Sequence, residues 1–206
     1  MHDTTMKSSE LTKETEGRII PQNQFKLEEG LIHYYYGDGK GKTTTLIGSI
    51  IRALGHGLKP VLIQFLKLHD ENDDGNGYFM GEVNFLKNFI PVKQFGNGSF
   101  VKIDEKENCS DKRIVSNGLE FMKKTIEDGK YDIVALDEVI NLISFQFISV
   151  EELIEILENK PEHVEVICTG AMYYKQLKAI SDYVIQFNCL THPYYEGIQA
   201  RKGIEF

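Results

Sequence analysis

The sequence contains no tryptophan, few cysteines and no long apolar run. Its three cysteines, Cys109, Cys168 and Cys189, are widely spaced and form no C-x-x-C pair, which argues against a disulfide framework or a zinc knuckle. The histidines are scattered, so we expect no transition-metal site built from protein ligands. No apolar run approaches the ~20 residues of a membrane span. These absences favour a protein of a reducing cytoplasm.

Positive charge is also in short supply. The chain has 23 Lys and Arg against 31 Asp and Glu, a formal net charge of −8. This balance argues against a broad surface for nucleic acid or anionic membrane, although it leaves room for a local basic pocket. We therefore expect a cytoplasmic protein with no nucleic-acid or membrane partner.

Residues 1–28 differ in composition from the rest of the chain. Residues 1–18 carry Ser, Thr, Lys and Glu with few large apolar groups, which predicts an N-terminal extension and a candidate active-site lid. Across 29–206, candidate strands alternate with candidate helices. This alternation is typical of βαβ units with a mostly parallel sheet and helices on both faces. We predict one domain at 29–206, of the α/β class with a phosphate-loop (P-loop) NTPase, RecA-like architecture.

The apolar and turn-residue patterns predict the individual elements. Strands are expected at Leu31–Tyr36, Val61–Leu66, Val92–Phe95, Tyr131–Asp137, Val164–Thr169 and Tyr183–Phe187. Helices are expected at Thr43–Leu54, Asp111–Glu127, Val150–Glu158 with Ser149 as its cap, and Tyr173–Ile180, with a short amphipathic segment at Glu82–Phe89. The tail, Gly197–Phe206, is expected to pair as an edge strand or a hairpin.

A glycine-rich loop joins the first predicted strand to the first predicted helix. Its sequence is Gly37-Asp38-Gly39-Lys40-Gly41-Lys42-Thr43-Thr44. Glycines let the backbone approach phosphates closely, and successive N–H groups at a helix N-terminus form an anion nest. Lys42 would supply a mobile charge for the terminal phosphates, and the Thr43 hydroxyl can ligate Mg²⁺. Lys40 is either a second phosphate contact or a solvated lysine.

The loop departs from the general pattern G-x-x-x-x-G-K-[ST] at one position. Tyr36 stands where the pattern has its first glycine, and the first glycine here is Gly37. The alternative interpretation is a glycine-rich turn without a ligand. The position of Gly41-Lys42-Thr43 between a clear strand and a clear helix favours the phosphate site.

Two carboxylates, Asp137 and Glu138, end an apolar predicted strand. Phosphate-loop proteins hold Mg²⁺ at such a place, and open parallel sheets bind ligands at the carboxyl ends of their strands. Adjacent residues of an extended chain point to opposite faces, so the two acids are expected to do different jobs. The alternative is a pair of solvated strand-end acids.

Several further motifs accompany the loop and the acids. They are Arg52-Ala53-Leu54-Gly55-His56-Gly57, Gln64-Phe65-Leu66-Lys67, Gly81-Glu82, Thr169-Gly170, His192-Pro193-Tyr194 and Gly197-Ile198-Gln199-Ala200-Arg201-Lys202-Gly203-Ile204-Glu205-Phe206. Together they resemble the corrinoid adenosyltransferases of the ATP:cob(I)alamin type, the CobA/CobO/BtuR family, over about residues 30–206. The shifted first glycine is itself a feature of that family.

The resemblance implies a specific chemistry. A cobalt(I) corrinoid attacks C5′ of ATP and the whole triphosphate leaves, with Lys42 as a catalytic residue. ATP contacts would come from Gly37 to Thr44 and from Arg52, whose alternative is a helix-surface arginine. Mg²⁺ would be held by Thr43 and Glu138, with Asp137 nearby. The resemblance also implies a homodimer and a reduced flavoprotein that supplies the electron for cob(II).

Two departures from the family pattern concern the substrates. Ala171 replaces an arginine that touches the nucleotide in the family, and Lys175 and Arg201 are candidates to replace its contact. The corrinoid-facing Gly-Phe-x-Trp loop lacks its tryptophan here. Phe100 and Val101 would then bind the corrinoid, with Phe100 taking part in catalysis by displacing the axial ligand; core packing is the alternative for Phe100.

Two other functions are compatible with the loop. One is a P-loop kinase or ATPase that cleaves at the γ-phosphate, and the other is a nucleotide-binding module without turnover. A kinase needs an acceptor-activating base and usually an arginine-rich lid, neither of which we can identify in the sequence. A binding module need not keep paired strand-end acids beside a complete Lys-Thr loop. Corrinoid adenosyl transfer is therefore the leading expectation.

Overall fold

The computed structural model describes residues 26–67, 80–96 and 109–206. The strands in these ranges are β1 (Ile32–Gly37), β2 (Pro60–Phe65), β3 (Val92–Phe95), β4 (Ile133–Asp137), β5 (Glu165–Gly170) and β6 (Tyr183–Phe187). The helices in these ranges are α1 (Lys42–Gly55), α2 (Gly81–Leu86), α3 (Cys109–Glu127), α4 (Asn141–Ser144), α5 (Val150–Glu158) and α6 (Lys175–Ile180), with a 3₁₀ turn at Pro193–Glu196. All six predicted strands and all four predicted helices are confirmed within two residues at each end, and the predicted amphipathic segment begins with α2.

The six strands form one sheet in the order β3-β2-β4-β5-β1-β6, and every neighbouring pair is parallel. The predicted α/β class with a parallel sheet is therefore confirmed. Because the strands are parallel, their carboxyl ends meet at one edge. In the register of β2 with β4, Gln64 lies opposite Asp137, which brings the ends of these two strands together.

The sheet separates two apolar cores, because successive side chains of a strand point to opposite faces. Tyr34 faces the core that includes Leu153 of α5, with α3 and α6 on the same side. Tyr35 faces the core that includes Leu46 of α1 and Leu86 of α2. Each fully buried leucine of this kind contributes about 1.5–3 kcal/mol. The predicted placement of helices on both faces is thus confirmed.

Ser149 caps α5 as its sequence predicts. The Ser149 hydroxyl oxygen accepts from the Glu152 N–H at 3.1 Å, and the Glu152 carboxylate accepts from the Ser149 N–H at 2.8 Å. This reciprocal capping box satisfies two N–H groups that the helix itself cannot pair. It fixes where α5 begins after the short helix α4, an element that the sequence patterns did not predict.

The expectation of a strand or hairpin in the tail, Gly197–Phe206, is wrong. The tail forms turns instead, and the Gly203 N–H donates to the Phe206 carbonyl at 2.6 Å. Gly197 and Gly203 have φ values of 80° and 79°, in the left-handed region. Two such residues interrupt the extended backbone that a strand requires. The tail therefore folds back across the carboxyl edge of the sheet.

Some sequence predictions lie outside the described residues. Of the predicted extension at 1–28, residues 26–28 are described, and Leu27 packs against the core on the α1 side. Phe100 and Val101 also fall outside the described ranges. Within those ranges, no helix is both long and apolar enough to cross a bilayer.

Candidate active site

The phosphate loop connects β1 to α1 through a tightly constrained backbone. Gly37 and Gly41 have φ values of 118° and 126°. A Cβ at Gly37 would lie 2.0 Å from the Phe187 carbonyl oxygen, so no side chain fits there. The helical ladder of α1 begins with the Thr45 N–H donating to Gly41 O at 2.8 Å, and the N–H groups before it lie outside the ladder. The loop thus presents backbone donors at a helix N-terminus, as an anion site requires.

Lys42 lies inside this loop and is only 8% exposed. Its Nζ donates to the carbonyl oxygens of Gly37 at 2.6 Å and Gly39 at 3.0 Å. Both acceptors are neutral, so these contacts orient the ammonium without neutralising its charge. The arrangement suits a cation that must attract a phosphate anion.

Lys40 contacts the tail, and its contact with phosphate stays a prediction. Its Nζ donates to the Ile204 carbonyl at 2.7 Å and pairs with Glu205 Oε1 at 3.2 Å. Arg201 also binds Glu205, through Nη2 at 3.1 Å and Nε at 3.2 Å. Hydrogen bonds from Arg201 are the main reason why the pKa of Glu205 falls to about 2. Lys40 therefore fastens the tail beside the phosphate loop, and Arg201 holds Glu205 in place within the tail.

The neighbouring strands β2 and β4 are each followed directly by a left-handed residue that carries a side chain. Leu66 has a φ of 59° and Glu138 a φ of 63°. Such backbone costs roughly 1–3 kcal/mol per residue and is concentrated at functional sites. It turns Lys67 and Glu138 toward a common point, where Lys67 reaches both acids. We call Lys67, Asp137 and Glu138 the strand-end cluster.

Asp137 is the fully buried member of the strand-end cluster. Its Oδ1 accepts from the hydroxyls of Thr43 at 2.9 Å and Thr169 at 2.8 Å. Its Oδ2 accepts from Gln64 Nε2 at 3.0 Å and Lys67 Nζ at 2.6 Å. Burial raises the pKa of Asp137, but the charge of Lys67 and these hydrogen bonds outweigh it, so the pKa is lowered. Asp137 is thus an ionised anchor whose two oxygens each accept two hydrogen bonds.

Glu138 has a different environment from Asp137, and its side chain lines the cavity beside the phosphate loop. Its Oε1 lies 3.7 Å from Lys67 Nζ, and its Oε2 accepts from Asn141 Nδ2. Burial, and next the charge of Asp137, raise the pKa of Glu138. The opposite shifts of these two adjacent acids support the expectation that they do different jobs. The expectation that they point to opposite faces is wrong, because Glu138 leaves the extended conformation and both acids approach one ammonium.

Lys67 is held mainly by the charges around it. Burial lowers the pKa of its ammonium, but the carboxylates of Asp137 and Glu138 raise it more, so the net shift is upward. Its Nζ also lies 3.2 Å from Thr43 Oγ1. Lys67 was not singled out as a site residue from the sequence. A signal did exist: polar Gln64 and Lys67 interrupt and follow an otherwise apolar strand.

Two further residues missed from the sequence support the acids. The Thr169 hydroxyl accepts from the Glu138 N–H at 2.9 Å while it donates to Asp137. Asn141 binds the Glu138 carboxylate, and its Oδ1 accepts from the Ala171 N–H at 2.7 Å. Ala171 also contacts the phosphate loop, because the Gly37 N–H donates to the Ala171 carbonyl at 3.0 Å.

These parts meet around a cavity of about 450 Å³. Its walls include Gly39–Thr44, Lys67, the α2 start at 80–82, Glu138 and the tail at 203–206. Small-molecule sites commonly have volumes of ~300–1,000 Å³. The cavity is lined by lysine side chains, the phosphate loop and carboxylates, as expected of a site for an anion with a metal ion.

Not every predicted site residue meets at this cavity. Arg52 is exposed on α1, ten residues beyond Lys42 and so roughly 15 Å further along the helix axis. Lys175 is exposed at the start of α6. The nucleotide contact of Arg52 stays a prediction, as do the corrinoid contacts of Phe100 and Val101.

Comparison with known proteins identifies the family. Residues 28–206 match the family model described as "ATP:corrinoid adenosyltransferase BtuR/CobO/CobP". A corrinoid adenosyltransferase of Escherichia coli (strain K12) is 28% identical over 180 residues, 87% of each chain. One from Sinorhizobium sp is 31% identical over 182 residues, 87% of this chain and 81% of the relative. The corrinoid adenosyltransferase CobA of Salmonella typhimurium (strain LT2) is 28% identical over 184 residues, 89% of each.

The match covers the phosphate loop, the strand-end cluster and the tail that closes the cavity. It therefore includes every described element that forms the candidate site. On this ground the chain belongs to the BtuR/CobO/CobP family of ATP:corrinoid adenosyltransferases.

Proposed function

We propose that the protein transfers the 5′-deoxyadenosyl group of ATP to cobalt(I) of a corrinoid and releases triphosphate. The observation that carries this proposal is the cavity in which the phosphate loop of a corrinoid adenosyltransferase family member faces the strand-end cluster. The chemistry places the phosphate chain in the loop as a leaving group. It differs from that of a kinase, in which the same kind of loop holds a phosphate that is transferred.

The triphosphate occupies the loop from Gly37 to Thr44. The backbone N–H groups of this loop and the N-terminus of α1 supply fixed dipoles, and Lys42 supplies a full charge. These groups matter most as the bond between C5′ and oxygen breaks, because the departing oxygen then gains negative charge. Lys42 is the catalytic residue in this sense. A P-loop NTPase fold of the RecA-like type is the architecture that we assign to the domain.

Mg²⁺ is the metal that fits the oxygen donors beside the loop. Hydroxyl and carboxylate oxygens are the protein ligands that this ion prefers, and the Lys67 ammonium already lies among them. We assign Thr43 and Glu138 as its direct ligands. Asp137 acts through Thr43, since its oxygens are already used by four hydrogen bonds. When bound, the ion would neutralise charge on the phosphates.

The transfer itself is a nucleophilic displacement at carbon. The electron pair of cobalt(I) forms the bond to C5′, and the pair of the C5′–O bond leaves on the triphosphate. The protein's part is to hold C5′ in line with the cobalt and to stabilise the leaving group. A reduced flavoprotein is the electron donor that we assign for making cobalt(I) from cob(II).

Other parts of the proposal rest on the family resemblance. Arg52 would contact the nucleotide, and Phe100 and Val101 would pack against the corrinoid, where Phe100 displaces the axial ligand. The extension at 1–28 is assigned as an active-site lid. We further propose a cytoplasmic homodimer.

One assay separates this function from its alternatives. The protein is incubated with Mg-ATP and chemically reduced cob(I)alamin, the visible spectrum is followed, and the phosphate product is identified. A light-sensitive alkylcobalamin with intact triphosphate supports adenosyl transfer. ADP with orthophosphate would instead identify a kinase or ATPase. Tight ATP binding without turnover would identify a binding module.

A further inference from the structure

Lys67 occupies a place that a metal ion would be expected to take. Its Nζ lies 2.6 Å from Asp137 Oδ2, 3.2 Å from Thr43 Oγ1 and 3.7 Å from Glu138 Oε1. Thr43 and Glu138 are the side chains assigned above as direct ligands of Mg²⁺, and Asp137 is the acid that acts through Thr43. The ammonium thus provides, in the absence of metal, the positive charge that these oxygens require.

An ammonium and a divalent cation cannot both hold this position. Mg²⁺ binds its oxygen ligands at ~2.0–2.1 Å, and it would meet the positive charge of Lys67 at close range. The repulsion between two cations a few ångströms apart is large in a partly buried site. One of them must therefore move, and the flexible four-carbon stem of a lysine allows the ammonium to do so.

The other lysines of the cavity are engaged differently. Lys42 Nζ contacts the carbonyls of Gly37 and Gly39, and Lys40 contacts the tail. Lys67 also has a backbone reason to be where it is, because the left-handed Leu66 turns it into the cavity. Buried ion pairs often add little net stability, so stability alone does not account for the strained Leu66 that directs Lys67 toward the two carboxylates.

We propose that Lys67 is a displaceable internal cation that keeps the metal position closed until the metal arrives with the triphosphate. Without nucleotide, its ammonium pairs with Asp137, lies near Glu138 and repels free divalent ions. When the metal–triphosphate complex enters, the ammonium leaves the carboxylates and pairs with phosphate oxygens in the same cavity. This inference rests on the proposed function in placing the metal at Thr43 and Glu138.

Metal binding by the nucleotide-free protein tests this exchange. Mn²⁺ serves as the probe, and its binding to the full chain is followed by electron paramagnetic resonance without ATP or corrinoid. The variants are Lys67→Met and, as a matched control, Lys93→Met, which removes an exposed lysine of β3. We expect Lys67→Met to bind Mn²⁺ at least about tenfold more tightly than the wild type, because a competing charge is removed. The control should bind as the wild type does.

Thermal unfolding supplies a second readout. Removal of Lys67 leaves Asp137 buried without its ion-pair partner, so Mn²⁺ should raise the melting temperature of Lys67→Met by more than it raises that of the wild type. Lys67→Gln should show the same gain in affinity, since its amide keeps a donor for Asp137 but not the charge. If both variants unfold without metal, their recovery on refolding with Mn²⁺ supports the proposal, and failure to recover overturns it.

The proposal fails if Lys67→Met binds Mn²⁺ no more tightly than the wild type. Lys67 would then be a structural partner of Asp137 alone. Because these measurements contain neither ATP nor corrinoid, they can succeed or fail independently of the assay for adenosyl transfer.

Discussion

The phosphate loop and the strand-end cluster lie on the same cavity but are built in opposite ways. The loop uses consecutive residues and mainly backbone groups, with Lys42 held by neutral carbonyls. The cluster joins Lys67 to Asp137, 70 residues away, and is held by side-chain charge. The ammonium of the loop therefore has no carboxylate partner, whereas the ammonium of the cluster is already paired with Asp137. A change in the loop should affect function first, and a change in the cluster should affect stability as well.

Lys42→Ala tests the loop side of this comparison and has the largest expected effect. The variant loses a full charge at the leaving group, and we expect kcat to fall by about 10²–10³-fold, the loss typical of one preorganised contact to a developing anion. Steady-state kinetics of alkylcobalamin formation measure it. Lys93→Ala, which removes an exposed lysine of β3 away from the phosphate loop, is the control and should leave kcat nearly unchanged. Equal losses in the two variants would contradict the distinct role of Lys42.

Asp137→Asn tests the cluster side. It leaves Lys67 without its closest counter-charge, and breaking such a buried pair costs about 3–5 kcal/mol of unfolding free energy. Urea denaturation measures this cost, with the exposed Asp128→Asn as the control. A loss in Asp137→Asn no larger than in the control would show that the cluster is not held by charge.

The strand-end cluster should also make the unfolding free energy depend on pH in the acidic range. The pKa of Asp137 is lowered in the folded protein. Its ionised form therefore stabilises the fold at pH values above the unfolded aspartate pKa of ~3.9, and this stability is lost as the pH falls through the folded pKa. Asp137→Asn should make the unfolding free energy less dependent on pH in this acidic range. If the unfolding free energy of the variant depended on acidic pH as strongly as that of the wild type, the lowered pKa of Asp137 would be contradicted.

Glu138→Gln separates the two acids and has the smallest expected effect on stability. The raised pKa of Glu138 means that its ionised form is disfavoured in the fold, so its contribution favours stability at low pH and is lost as the pH rises. Neutralising it should change the unfolding free energy at neutral pH by less than about 1 kcal/mol, or stabilise slightly. Activity with Mg²⁺ should nevertheless fall about tenfold or more, since a metal ligand is weakened. Glu120→Gln on the exposed face of α3 is the control, and a stability loss equal to that of Asp137→Asn would contradict the division of roles.

The sequence predicts the loop side of the cavity far better than the cluster side. Gly37 to Thr44 are contiguous, and the strand and helix around them have clear periodicity, so local rules were sufficient. The contact of Lys67 with Asp137 depends on the register of β2 with β4 and on the left-handed Leu66, and neither is specified by local composition. The tail differs, because its turns at Gly197 and Gly203 follow from a local signal that the expectation of a strand did not use.

The central claim is that the loop holds a leaving group and that the reacting atom is C5′. ATP labelled with ¹³C at C5′ tests it most directly, by nuclear magnetic resonance after reaction with Mg²⁺ and chemically reduced cob(I)alamin. We predict that the label appears bonded to cobalt and that the phosphorus product is intact triphosphate. A label that stays in ADP, with orthophosphate as the second product, would contradict the claim.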